Sequence, residues 1–416
     1  MNAKVGIRNE SRIKLPEILF ITTKSPLPMN DGHSLRSCNI IKQLAKDFDI
    51  HLLSFVKSSE EQFYIPELEE ICKSVQLIEV AENKSFFKLF FSLVVSVISG
   101  KAFVVYKYNK KEMHQCIKDI VKKLNISLVH LDMLPLGVYV KDIKGCNLVL
   151  DEHNVESALL KRRVKNEKKF VSKLFYKIQQ QRLERFEKDV TSKVDHILAC
   201  SDIDKDLLSS FSATPITVIP NGVDIEFFRP ATQNLETKNS LVFVGGLDWF
   251  PNLDAVTWFD GKILPLILED FPQISLHVIG NKSSIDAVKL KHPASITFHG
   301  RVEDVRPFIS RATLFVVPLR IGGGTRLKIL NAMAMKKCVV STSIGAEGLG
   351  AMDGENIVIA DTSQDFAEKI RQCLNAPEYS NTIGEGGYTH ILENFQWDAI
   401  GNDLRKVYHL LSKTIE

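Results

Sequence analysis

Leu314-Phe-Val-Val-Pro-Leu-Arg-Ile-Gly-Gly-Gly-Thr-Arg-Leu-Lys-Ile-Leu-Asn-Ala-Met-Ala-Met-Lys-Lys-Cys-Val-Val-Ser341 is a complete strand–loop–helix–strand unit. Leu314–Val317 and Cys338–Ser341 are short, β-branched and uncharged, the pattern of buried strands. The stretch from Leu327 is apolar at helical spacing. Two strands joined by a helix lie parallel, with a right-handed crossover. The loop between them carries the chemistry. Gly322, Gly323 and Gly324 let backbone approach a ligand closely, and the free N–H groups of the helix that opens after Thr325 form an anion site. Arg326 and Lys328 add positive charge within its first turn, a fixed fork and a point charge suited to phosphate. Gly-Lys-Ser/Thr is absent, so this is not a P-loop.

The same unit recurs in both directions. Glu17–Thr22, Ile50–Phe55, Val75–Val80, Leu128–Leu131, Leu148–Leu150, His196–Cys200 and Ile216–Ile219 read as a first series of strands with helix-length segments between them. A second series restarts at Leu241–Val244 and continues through Ser275–Ile279, Ile296–Phe298, Leu314–Val317, Cys338–Ser341 and Asn356–Ile359. An α/β protein with two Rossmann-like, doubly wound parallel sheets is the simplest account, each sheet with ligand loops at its strand C-terminal ends. The turn Pro220-Asn-Gly-Val-Asp224 and the polar run Arg229–Asn234 divide them, giving a unit over 1–225 and another over 235–396. Trp397–Ile415 reads as an amphipathic helix with Leu404, Val407, Leu410 and Leu411 on one side.

Several other strand-end loops are candidates for the same cleft. Ser25–His33 follows the first strand and precedes a helix containing Arg36; Gly32 there admits a phosphate or sugar. Asp151-Glu-His-Asn-Val-Glu156 follows the fifth strand, and His153 is placed to bond a sugar hydroxyl or position a reacting group. Asn154, or alternatively Ser157, is expected to cap the next helix. Gly245-Gly246 ends the first strand of the second series, followed by a partly buried Trp249 and by Asn252 as a helix cap. Gly280 and Gly300-Arg301-Val302 close later strands. A G-x-G-x-x-G signature is missing, which disfavours a dinucleotide cofactor.

Composition sets the outer limits. The 416 residues hold 53 Lys+Arg and 50 Asp+Glu, with 44 % hydrophobic and 25 % charged residues, an ordinary globular composition too long for one core. A pI near 8.3 gives no nucleic-acid footprint. Seven dispersed cysteines without C-x-x-C read as reduced thiols of a cytoplasmic protein. The first sixteen residues lack a signal-peptide core. The apolar run Phe86–Ile98 is short of the roughly 20 residues that span a bilayer and reads as a buried helix or one lying on a membrane face. Charge is uneven: residues 1–230 carry 35 basic and 29 acidic groups. The excess sits in Ser157–Lys193, with 12 basic and 4 acidic residues. There Phe170, Leu174 and Ile178, with Val171 and Phe175, are expected to pack, and the cationic face to meet solvent, anionic headgroups or a lipid-diphosphate acceptor.

With these pieces in order, the sequence resembles glycosyltransferase family 4, the retaining, group 1 enzymes of GT-B architecture. The resemblance rests on the Pro/Gly loop through Arg36, DEHNVES, ACSDIDKDLL, VIPNGVD, LVFVGGLDWFPNLDAV, ITFHGRVEDV, VPLRIGGGTRLKILNAMAMKKCVVST and GAEGL. It implies an N-terminal acceptor domain, a C-terminal nucleotide-sugar domain, and a last helix (397–416) that crosses back onto the first. The expected reaction moves a sugar, with retention, from a nucleotide-diphosphate sugar to a saccharide or lipid-linked acceptor in surface polysaccharide or glycan assembly. A degenerate nucleotide- or saccharide-binding partner subunit is the alternative. By the resemblance, Gly32, with His33 and Arg36 beside it, belongs to the acceptor and phosphate loop, His153 contacts the sugar, and Arg326 and Lys328 neutralise the leaving diphosphate. Gly246, Arg320, Gly322–Thr325 and Asn331 surround the donor, with Arg301 and Val302 facing its base. Three departures stand out. The spaced glutamate pair of the family is replaced by Gly323 and Asn331. Gly246 stands where a basic residue is common, which throws phosphate neutralisation onto Arg326, Lys328 and Arg320. Lys336-Lys337 replaces a glycine turn. Neither a cofactor nor a metal is expected, since Asp202-Ile-Asp204, the Asp-x-Asp considered, opens a helix. An anionic membrane face is an expected partner, with the protein peripheral at the inner leaflet.

Overall fold

The computed structural model describes residues 15–29, 31–56, 59–80, 100–167, 169–231, 236–281, 290–322 and 326–413. The run Phe86–Ile98, the residues Gly323, Gly324 and Thr325, and positions 232–235 of the linker lie outside them.

Seven strands form the first sheet: β1 (Glu17–Thr22), β2 (Asp49–Val56), β3 (Ser74–Glu79), β4 (Ile126–Asp132), β5 (Asn147–Glu152), β6 (His196–Ala199) and β7 (Ile216–Val218). Their order is β3-β2-β1-β4-β5-β6-β7, every pair parallel. The second sheet comprises β8 (Ser240–Val244), β9 (Ser275–Ile279), β10 (Ile296–Gly300), β11 (Leu314–Val317), β12 (Val339–Ser341) and β13 (Val358–Ile359), ordered β10-β9-β8-β11-β12-β13 and also parallel. Strand β1 is buried at all six positions, as a central parallel strand covered on both faces must be. Each sheet reverses its winding once, between β1 and β4 and between β8 and β11. A parallel sheet opens a crevice at such a switch point, beyond the strand C-termini.

The cores are separate. One packs residues from Val223 to Phe395 around the second sheet. Two others cover the two faces of the first sheet, and the one on the face of Ile18, Phe20 and Leu128 includes Trp397, Ile400, Leu404 and Tyr408 from the last helix, Trp397–Lys413. The chain crosses between the units at Val223, whose N–H donates to Phe395 O at 2.8 Å. Gly222 is required there, because a Cβ would lie 2.7 Å from the Trp397 ring.

Local expectations are corrected at several points. The helix Glu156–Asn166 has Val155 at its N-cap position without a side-chain cap, so neither Asn154 nor Ser157 serves; the Ser157 hydroxyl donates instead to Glu187. The helix Phe170–Thr191 buries Gln179, Leu183, Glu187, Val190 and Thr191, a seam confined to its C-terminal half. Phe170, Val171, Leu174 and Ile178 are exposed rather than packed. Trp249 is 52 % exposed, not partly buried, and it occupies the N-cap position expected for Asn252.

Candidate active site

At the β1/β4 crevice, Asp31 caps the helix Gly32–Leu44 by accepting from Ser34 N at 3.1 Å. This sets His33 on the first turn, where Nε2 reaches Asp132 Oδ2 at 2.9 Å. Asp132 is the last residue of β4 and fully buried. Its other oxygen takes His153 Nε2 at 2.7 Å, and Ser37 Oγ donates to Oδ2 at 2.7 Å. One carboxylate thus orients two imidazoles, whose rings meet edge to face with centroids 4.9 Å apart. Burial would lower the His153 imidazole, but Asp132 and Asp151 override it and push it up to about 9. Burial likewise opposes ionisation of Asp132, yet His153 and His33 hold it well below the usual carboxylate range. His153 is therefore an imidazolium at neutral pH, with its position fixed by a charged pair. Met133, directly after Asp132, has φ 97°, a left-handed strain of about 1–3 kcal/mol for a non-glycine residue.

Arg36 corrects an expectation. It is fully buried, donating through Nε and Nη2 to Asp151 at 2.9 and 2.7 Å and through Nη1 to Ile219 O and Asn221 Oδ1. Such a saturated guanidinium braces β5 and the crossover; it does not present charge to an acceptor or phosphate. Behind the site, His130 Nδ1 pairs with Tyr408 Oη at 2.5 Å and stacks on Phe20, so the crossing helix supports the β1/β4 floor.

At the β8/β11 crevice, Lys328 lies in the first turn of the helix Leu327–Ala334. Its ammonium donates to Asn252 Oδ1 at 2.9 Å and sits 4.4 Å from the Phe243 ring centroid. Asn252 Nδ2 donates in turn to Gly246 O at 2.8 Å. A Cβ on Gly245 would stand 2.6 Å from Lys328 Nζ and 2.8 Å from Asn252 Nδ2, so a larger residue would displace this pair. Gly280 has φ +144° and is pressed against Gly245, fixing the same loop. Burial, and then the Arg326 charge, push Lys328 down to about 7; burial lowers Arg326 to about 10 despite Glu347. Gly322 abuts the Arg326 guanidinium, leaving no room for a side chain. Asn331 follows Lys328 on the same helix face and is half-buried. Arg301 is exposed and Val302 half-buried, both just past β10. Arg320 is exposed, and its guanidinium pairs with Asp254 at 2.6 and 3.0 Å and lies over the Trp258 ring.

The two crevices touch. Arg162, on the Glu156–Asn166 helix, pairs with Glu347 at 2.5 and 2.7 Å and donates to Gly322 O. A Cβ on Gly32 would be 3.2 Å from Leu327 Cδ1, so the first-sheet loop lies directly against the second-sheet helix. His33, Asp132 and His153 have ligand atoms within 4.8 Å of one another, a set able to hold a cation. Here both Nε2 atoms are already engaged with Asp132, and His153 carries a proton. Asp132 and the Arg162–Glu347 bridge carry no motif of their own in the sequence, and Asn252, which reads there as a helix cap, is instead the partner of Lys328. For Asp132 the signal is in the sequence: His130 and Asp132 put two ionisable groups into a strand that is otherwise apolar from Leu128 onward.

Two family descriptions match the chain in tandem: Glycosyltransferase Family 4 over residues 95–227 and Glycosyl transferases group 1 over residues 238–376. An uncharacterized 44.6 kDa protein of the Klebsiella pneumoniae cps region is 26 % identical over 96 % of this chain and all of its own length. A lipopolysaccharide core biosynthesis mannosyltransferase of Rhizobium leguminosarum bv. viciae is 26 % identical over 57 % of this chain and 71 % of its own. Among solved structures, sucrose-phosphate synthase from Thermosynechococcus elongatus superposes with a TM-score of 0.71 at 16 % identity, covering 96 % of this chain and 100 % of that one. Anabaena HepE in complex with UDP gives 0.65 at 15 %, covering 94 % and 99 %. These likenesses show the fold, two parallel-sheet domains in the GT-B arrangement. Read with the matched order of its two halves, the chain belongs to glycosyltransferase family 4, the group 1 glycosyl transferases.

Proposed function

We propose that this glycosyltransferase moves a sugar, with retention and without a metal ion, from a nucleotide-diphosphate sugar to a saccharide or lipid-linked acceptor in surface polysaccharide assembly. One observation carries the reading: two switch-point crevices in contact, one with an imidazolium fixed on Asp132, the other with Lys328 and Arg326 at a helix start. The diphosphate would lie along Arg326, Lys328 and the Leu327–Ala334 helix N-terminus, where negative charge grows as the glycosidic bond to phosphate breaks. His153 would donate to a hydroxyl of the transferred sugar and hold its anomeric carbon toward the acceptor side. Gly246, and Arg301 with Val302, border the nucleotide; Asn331, one turn beyond Lys328, would bond a ribose hydroxyl. The relatives' printed roles and the UDP bound by HepE support this donor class. The basic Ser157–Lys193 stretch supports an anionic acceptor or membrane face beside the first domain.

The test is incubation with a panel of nucleotide sugars, reading slow donor hydrolysis and the anomeric configuration of the product by NMR. An inverted product removes the retaining mechanism. Asn331 motivates a second reading, a binding subunit without turnover; nucleotide binding with no hydrolysis of any donor selects it.

A further inference from the structure

The helix Phe170–Thr191 carries an apolar stripe on its outer surface. Phe170 and Val171 are each 79 % exposed, Leu174 51 % and Ile178 38 %. At 3.6 residues per turn these four positions fall within an arc of about 100°. Lys169, Lys173 and Lys177 are exposed along one border of that arc. Single exposed apolar side chains are ordinary; a contiguous stripe marks an interaction surface. Its surroundings define the partner. From Ser157 to Leu183 the sequence has nine Lys or Arg and one acid, Glu167. A surface that accepts apolar side chains and presents negative charge alongside them is the headgroup layer of an anionic bilayer. No helix among the described residues is long and apolar enough to cross a membrane, so the geometry is that of a helix lying in the interface.

We propose that the N-terminal half of this helix docks on an anionic membrane, with Phe170, Val171, Leu174 and Ile178 among the acyl-chain ends and Lys169, Lys173 and Lys177 on lipid phosphates. The proposal deepens the membrane apposition suggested above but needs no sugar donor. It also gives the cleft an orientation, because the preceding helix, packed against this one, carries Arg162 into the seam between the domains.

The experiment is co-sedimentation of the full chain with vesicles of equal phosphatidylglycerol and phosphatidylcholine, against phosphatidylcholine alone. Binding is expected to the anionic vesicles, weaker at 0.5 M salt (about a 4 Å screening length) but not abolished, since the apolar part is not screened. The Phe170→Ser/Leu174→Ser pair should weaken it about tenfold or more, and Lys173→Glu/Lys177→Glu should also weaken it. If the first pair lowers Tm, Val171→Ser/Ile178→Ser replaces it. Absence of vesicle binding, or binding unchanged by the apolar substitutions, overturns the proposal. So does a wild-type dimer in sedimentation velocity that the Phe170→Ser/Leu174→Ser pair turns into a monomer, because a second copy then covers the stripe. Vesicle binding without donor hydrolysis would leave this inference standing and remove the transfer reaction instead.

Discussion

Donor affinity should fall with pH through Lys328. In the free protein burial and Arg326 hold this ammonium at about 7, against an ordinary lysine value of 10.5. A diphosphate placed beside it favours the charged form and returns it toward the ordinary value. Below pH 7 the proton is already present, and binding is at full strength. Above pH 7 the free protein has lost it, and each binding event must take one up. Between pH 6 and pH 8 one such group weakens binding about tenfold, or ~1.4 kcal/mol, and uptake at pH 8 approaches about 0.9 proton per donor. His153, at about 9, stays mostly charged over that interval and does not blur the slope. Calorimetry with UDP-glucose and GDP-mannose in buffers of different ionisation enthalpy measures both quantities, since the diphosphate of a nucleotide sugar does not titrate there. Lys328→Arg keeps its charge and should flatten the profile. An affinity independent of pH in the wild type, or a slope that survives in Lys328→Arg, refutes the placement of the diphosphate on Lys328.

Asn331→Glu should strengthen donor binding about tenfold, because a carboxylate accepts a ribose hydroxyl about twice as strongly as an amide; isothermal titration reads it. Arg36→Ala should cost about 3–5 kcal/mol in urea unfolding, since it strands the buried Asp151 carboxylate, with activity lost only in proportion to unfolding. Glu187 is fully buried, and burial pushes its carboxyl above the ordinary range, so folding takes up a proton there and the carboxyl's stability contribution falls as pH rises through that raised value. Glu187→Gln should therefore change Tm more favourably at pH 8 than at pH 5, read in scanning calorimetry. Turnover should persist at millimolar EDTA in the hydrolysis assay.

Strand content was legible because parallel strands covered on both faces need continuous apolar runs, and each of the thirteen runs became a strand within about two residues. The strand-end loops were legible for a related reason: glycine and charge are expelled from such strands and collect where they end. What failed was whatever depended on an element's length relative to its neighbours. Phe170, Leu174 and Ile178 have the spacing of a packed face, yet the helix reaches the core only from Gln179 onward. Arg36 looked like a ligand residue in its loop context, but its carboxylate partner lies 115 positions away. Asn252 resembled a cap, and only the fold of the Gly245-Gly246 turn reveals it as the clamp on Lys328.

The two sides of the cleft are charged in different ways, and the difference follows from their partners. His153 has Asp132 beneath it and Asp151 3.6 Å away, so its positive charge is in place before any ligand arrives. Lys328 has a neutral amide as its hydrogen-bond partner and a guanidinium as its charged neighbour, with no carboxylate partner among the described residues. A carboxylate there would keep Lys328 protonated but would also compete with the diphosphate for it. Asn252 orients the ammonium without neutralising it, and in the proposed binding mode the donor would supply the charge that restores the proton. On that proposal the cation at His153 is preorganised, whereas the one at Lys328 would be completed by its substrate. That predicts a specific asymmetry: Asn252→Asp should raise the Lys328 titration, flatten the pH profile as Lys328→Arg does, and yet weaken donor binding at pH 6, where Lys328→Arg retains more of it. Equal or tighter binding by Asn252→Asp at pH 6 would mean the ammonium faces something other than an anion.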